Sequence, residues 1–97
     1  MNQQQTEQLR WATLEYLACR STCAFNAMQV QRGMIANGTA HMIGATIDEP
    51  SVRAALYFMS SEGFILTSHP PMSAIPVYQV TSKGVTAWER KRLEQEG

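Results

Sequence analysis

Apolar residues at three- and four-residue spacing mark the first element. Leu9, Ala12, Thr13, Tyr16 and Leu17 fall on one face and predict an amphipathic helix over Glu7–Cys19. Thr6 offers a side-chain cap, and Glu7 a favourable charge in the first turn. Residues 1–5 and 94–97 are polar and are expected to fray. A second helix is expected to open near Ser21 or Thr22. Phe25, Met28 and either Met34 or Ile35 form its stripe, Gly33 weakens it, and Asn37-Gly38 ends it. The stretch from Thr39 to Ile47 admits two readings. It is either a short extended segment carrying Ile43 or Ile47 to the core, or an irregular turn.

The third helix has the clearest signals. Asp48 or Thr46 precedes Glu49-Pro50, and proline in a first turn lacks only a donor that would go unpaired there. Val52, Ala55, Leu56 and Met59 then share a face, and Gly63 ends the helix, giving bounds of 49–62. A hairpin over 64–81 follows. Phe64-Ile65-Leu66-Thr67 reads as one strand and Val77-Tyr78-Gln79-Val80-Thr81 as the other. Three prolines between them, Pro70, Pro71 and Pro76, exclude a regular ladder in the tip. Thr81 or Ser82 caps a last helix, Ser82–Leu93, carrying Val85, Trp88 and Leu93. The order is helix, helix, helix, strand, strand, helix. No repeat or linker interrupts it, so residues 1–97 are expected to form one domain of mainly α, α+β class.

Composition narrows the function. The chain has 97 residues, enough for one domain, with 44% hydrophobic and 16% charged residues, which suits a globular core. Eight basic and eight acidic residues cancel. Strong sequence-blind attraction to a polyanion is therefore not expected, although a local basic face is possible in principle. No apolar run is long enough to span a bilayer, and MNQQQTEQ has no basic segment followed by an apolar one. A cytoplasmic protein with reduced thiols and no membrane association is expected.

Residues 51–65, SVRAALYFMSSEGFI, and 77–89, VYQVTSKGVTAWE, resemble the winged helix-turn-helix regulators of the MarR and ArsR type. In those families a recognition helix ends in glycine and two apolar residues. A hairpin wing follows, and its second strand enters a Thr-x-Lys-Gly turn that starts the next helix. Thr81-Ser82-Lys83-Gly84 matches that turn. The resemblance spans roughly residues 9–90 and is specific in the second half only; small phage-encoded winged-helix proteins share this short layout. It implies a three-helix core, a two-stranded wing and a C-terminal helix. It departs from the pattern in two places. The wing tip, HPPMSAIP, has no arginine or lysine, and the stretch between the first and third helices is long.

The resemblance implies double-stranded DNA as partner, in a regulator or accessory role, with helix 49–62 in the major groove. Ser51, Arg53, Ala54, Tyr57 and Ser60 then become candidate contacts, because N-terminal residues of such a helix reach base edges. Arg32, Lys83 and His69 are further candidates. A homodimer through the terminal helices would use Trp11 and Trp88 as anchors. The alternative is a protein-interaction module without DNA binding, favoured by neutral charge and by Met72 and Ile75 at the wing tip. Arg90-Lys91-Arg92 lies among glutamates and reads as a solvated face. Cys19, Cys23, His41 and His69 match no zinc spacing, and Cys19 is expected to fill the core, so neither metal nor cofactor is expected. No nucleophile–base pair or phosphate loop is legible, so no enzyme is expected.

Overall fold

In the computed structural model, which describes residues 1–96, seven elements follow in order: α1 (Gln3–Ala18), α2 (Ala27–Ala36), α3 (Thr39–Ile43), α4 (Glu49–Ser61), β1 (Ile65–Ser68), β2 (Val77–Val80) and α5 (Ser82–Glu96). The expected order is present with one extra short helix. Position 97 lies outside the described residues.

The helix starts were set by side chains that the periodicity did not single out. Asn2 caps α1, accepting from the Gln5 amide while the Gln5 side chain answers the Asn2 amide. This reciprocal pair satisfies two otherwise unpaired donors and begins the helix four residues before Glu7. Thr6 therefore lies inside the first turn, its hydroxyl donating to the Asn2 carbonyl. Asn26 and Gln29 repeat the device at α2. The second helix thus opens at Ala27, not near Ser21 or Thr22. Its buried stripe is Ala27, Val30 and Met34, whereas Met28 and Ile35 are exposed.

Phe25, expected on that stripe, instead forms an isolated antiparallel bridge with Tyr78. Each amide donates to the other's carbonyl, at 2.9 and 2.7 Å. The bridge adds one rung on the other edge of β2 in the two-stranded sheet, whose register runs from Ile65↔Val80 to Ser68↔Val77. The 39–47 stretch is neither extended nor irregular throughout. Gly38 and Gly44, both left-handed at φ near +79° and +78°, bracket the one-turn α3. Ile43 and Ile47 are both buried, so the turn delivers two side chains to the core rather than one.

The core gathers Leu9, Leu14 and Leu17 of α1, Val30 and Met34 of α2, and Val52, Leu56 and Met59 of α4, all nearly inaccessible. Thr13 is buried among them, its hydroxyl satisfied by the Leu9 carbonyl at 2.8 Å. Cys19 is not part of this core. It caps the C-terminus of α1 and is exposed, as is Cys23, because α1 ends in a turn before it can carry position 19 inward. Leu93 is also exposed, on a turn of α5 whose neighbours Arg92 and Gln95, not Leu93, line the groove against α1.

A tight joint ties α4, the hairpin and α5 together. Gly63 takes φ +80°, and the Phe64 amide reaches back to the Met59 carbonyl, closing α4. The Thr81 amide donates to the Phe64 carbonyl and its hydroxyl to the Gly63 carbonyl, while the Gly84 amide donates to the Thr81 hydroxyl. Thr81 is thus the cap of α5. Gly84 is buried against the Phe64 carbonyl, and a Cβ there would overlap that oxygen and crowd Val80. Gly84→Ala is expected to destabilise the fold by about 1–3 kcal/mol, the usual range for forced overpacking. Chemical denaturation reads this directly, and an unchanged midpoint would show that the joint yields freely.

Candidate nucleic-acid interface

Helix α4 buries Val52, Ala55, Leu56 and Met59, as the spacing predicts. The opposite side carries Pro50, Arg53, Ala54, Tyr57 and Ser61, all exposed. Tyr57 is 77% exposed, a large fraction for an aromatic side chain in a helix. Arg53, Ala54 and Tyr57 therefore form a projecting ridge, as expected. Asp48 is the cap, accepting from the Ser51 amide at 2.9 Å. Thr46 does not serve.

The charge on this ridge is paired. The Arg53 guanidinium meets the Glu49 carboxylate at 2.6 Å, one helical turn away. Pairs of this kind at a surface contribute only about 0.3–0.5 kcal/mol. Breaking the pair therefore costs little in stability, and it frees the guanidinium while leaving an uncompensated Glu49 carboxylate beside it. In the free protein the Glu49 carboxylate neutralises much of the positive potential of Arg53.

The remaining expected contacts are distributed less simply. Ser51 is half-buried and lines a small hollow of about 120 Å³ with Arg10 and Ala54. Ser60 is half-buried and turned toward the hairpin, where its hydroxyl meets that of Thr67 at 3.1 Å. Its role is to hold the wing against α4. Arg32 is exposed on α2, and His69 is exposed just beyond β1. Lys83 lies over the Phe64 ring, 5.6 Å from its centre, with its stem against Gly63. Gly63 is ten residues beyond Arg53, about 15 Å along the helix at 1.5 Å per residue. Lys83 shares its surroundings with Trp11, Arg90 and Lys91, around a hollow of about 720 Å³ against α5.

Sequence reasoning missed Arg10. Its guanidinium stacks on the Phe58 ring at 3.7 Å and reaches the Ser51–Ala54 side of α4. The two arginines thus flank α4 on either side of Ala54. Arg10 follows Leu9, a stripe residue of α1, and a position beside the stripe lies at the edge of a packed face. That placement was the available signal. Trp11 and Trp88 are both half-buried and border a groove of about 360 Å³ between α1 and α5. Lys91 stacks on Trp11 and Arg92 on Trp88.

Among the described residues, no cluster of three or more His, Cys, Asp and Glu could hold a metal, and no helix is long and apolar enough to cross a membrane. Hydrogen bonding from Ser51 is the largest cause holding the Asp48 carboxyl below its ordinary range. The ionised cap is therefore favoured in the folded state. Its contribution is present above the unfolded-state pKa and is lost as pH falls through the depressed folded value. Asp48→Asn, which keeps an acceptor but does not titrate, is expected to flatten the acid limb of the stability curve. An NMR titration of the Asp48 carboxyl with a midpoint at or above that of an unstructured peptide would contradict this.

No protein-family model matches the sequence, and no curated protein is significantly similar to it. Solved structures do match. A transcriptional regulator from Clostridium thermocellum superposes with a TM-score of 0.70 at 15% identity, over 91% of this chain and 80% of that one. A mutant of MepR from a multidrug-resistant S. aureus isolate gives 0.54 at 20% identity, over 96% and 66%. A mutant of ZitR from Lactococcus lactis gives 0.54 at 13%, over 88% of this chain and 51% of that one, so the chain spans about half of ZitR. At these identities the likeness is one of architecture, and that architecture is the winged helix-turn-helix, with five helices and a two-stranded wing.

Proposed function

We propose that this chain binds double-stranded DNA as a transcriptional regulator or accessory protein. Helix α4 enters the major groove and the β1–β2 hairpin lies beside it. The observation that carries this reading is the ridge of Arg53, Ala54 and Tyr57, exposed on a helix whose opposite face is wholly buried. Arg53 exchanges Glu49 for a guanine edge or a phosphate. Ala54 lets the helix approach closely, and the Tyr57 hydroxyl donates to a phosphate. Arg10 clamps the backbone on the far side of α4, with Arg32 and Lys83 as outer contacts. The structural likeness to transcriptional regulators supports this assignment at the level of fold.

A homodimer across α1 and α5 completes the arrangement, because two-fold pairing places two recognition helices on successive turns of a duplex. Trp11 and Trp88 supply the anchors, beside the groove they already border. Trp88→Ala is expected to shift the protein toward monomer in sedimentation velocity. A parent that sediments as a monomer at all concentrations would exclude this pairing.

The uncharged hairpin favours the alternative, a protein-interaction module, and salt dependence separates the two. Binding to generic duplex through about three phosphate contacts per protomer should give a log–log salt slope near −3 for each protomer bound, so about −5 for the two-fold pair. Arg53→Ala is expected to weaken binding by about 1–3 kcal/mol and reduce the slope by about one. Fluorescence anisotropy at several salt concentrations measures both. If the parent shows no duplex affinity at low salt, or if Arg53→Ala leaves affinity unchanged, α4 is not the DNA-reading element.

A further inference from the structure

The hairpin is the least charged part of the molecule. Residues 63–82 contain none of the chain's eight acidic and eight basic side chains. Its tip is nevertheless well defined. The Ser73 amide closes a turn on the Pro70 carbonyl at 3.1 Å, and the Ile75 amide donates to the Ser73 hydroxyl oxygen at 3.1 Å. Pro70, Pro71 and Pro76 restrict the backbone on both sides. From this stiffened turn Met72 projects with 98% of its surface exposed, and Ile75 with 57%. The base of the hairpin is fixed to α4 through the Ser60–Thr67 hydroxyl contact and to α5 through the Thr81 joint. The base of the hairpin is therefore fixed beside α4, and the tip extends outward from it.

We infer that Met72 and Ile75 form an apolar wedge that enters the minor groove and partly unstacks a base step, kinking the duplex. This rests on the DNA-binding reading given above. A wedge itself needs no cation: it buries apolar surface between bases, and the unstacking it costs is offset by the contacts that the bent duplex makes with α4. Rigidity is what such an element requires, since a mobile tip would lose its conformational freedom on insertion. The Ser73 oxygen accepts within the turn, which leaves its own hydrogen available for the acceptors that line an A·T minor groove. Size argues against a protein partner as occupant. A stable protein interface buries about 800 Å² on each side, and two side chains on a narrow turn provide only a fraction of that. Deformation is easiest at pyrimidine–purine steps, so the wedge confers a preference for TA or CA steps at a fixed offset from the α4 site.

The test uses the full chain and short duplexes labelled at both ends. One set places a TA step at each position across the duplex, and a control set has none. The parent is expected to raise end-to-end energy transfer, reporting a kink of roughly 20–90°. The double variant Met72→Ala/Ile75→Ala is expected to lose that change and roughly tenfold in affinity for the TA duplex. Its salt slope should match the parent's, because no phosphate contact has been removed. Both side chains are exposed, so an unchanged melting curve is expected to confirm that the variant folds. Met72→Lys is expected to bind more tightly at low salt yet not kink. Duplex binding by the parent with no kink, or a kink that survives the double variant, overturns the wedge alone. Equal affinity of parent and double variant does the same and returns the tip to a protein-contact role. A parent that binds no duplex overturns the wedge together with the reading beneath it.

Discussion

The joint where the Phe64 carbonyl meets Gly84 sets the geometry of everything beyond α4. Four backbone segments converge there: the end of the helix, the start of β1, the end of β2 and the first turn of α5. Positive φ at Gly63 turns the chain out of the helix, and the Phe64 carbonyl then accepts from the Thr81 amide. The Thr81 hydroxyl bridges to Gly63 and also caps α5. A side chain at position 84 would push these segments apart. Because the sheet has only four-residue strands, its own ladder is too short to be stable alone. The hairpin acquires its direction from this joint rather than from pairing between its strands.

Given that anchor, α4 is held from both flanks. On one side Arg10 stacks on Phe58, and on the other Ser60 engages Thr67. The helix cannot roll about its axis without breaking one of these contacts. What remains exposed, from Pro50 to Tyr57, is therefore a fixed surface. The Glu49–Arg53 pair is the one ion pair on this surface among the described residues, and it contributes little to stability. A rigid frame with one weak ion pair is a suitable arrangement for recognition, since little ordering remains to be done on binding.

The parts legible in the sequence were those fixed by local chemistry. Asp48 before Glu49-Pro50, glycine at position 63 and threonine at 81 each have one favourable conformational use, and each appears in that use. The parts not legible depended on contacts distant in sequence. Phe25 is a strand residue only because Tyr78 presents its backbone opposite, and a single rung has no periodicity to detect. The start of α2 was obscured because Ser21 and Thr22 cap as well as Asn26 does. What decides between them is the Asn26–Gln29 reciprocal pair and the Gln79 side chain, which donates to the Ser21 carbonyl and holds that residue outside the helix. Arg10 escaped notice for a related reason: its partner Phe58 lies 48 residues further on. Gly33 reads as a helix weakener, yet its missing side chain makes room for the Tyr16 ring.

If the chain binds DNA as proposed, its neutral charge bears on how it would reach a site. Polyelectrolyte binding gains most of its non-specific affinity from released counterions, in proportion to the cations that meet phosphates. Here those cations are few, and Arg53 begins paired with Glu49. On the proposed DNA-binding reading, non-specific affinity would be low, and the ratio of specific to non-specific binding would rest on base contacts and duplex deformation. Both of these are short-ranged and depend little on salt. A small DNA-binding protein of this charge would give up the fast sliding that a basic face provides. In return it would spend little time on the wrong sequence, provided that two copies shared the site as proposed.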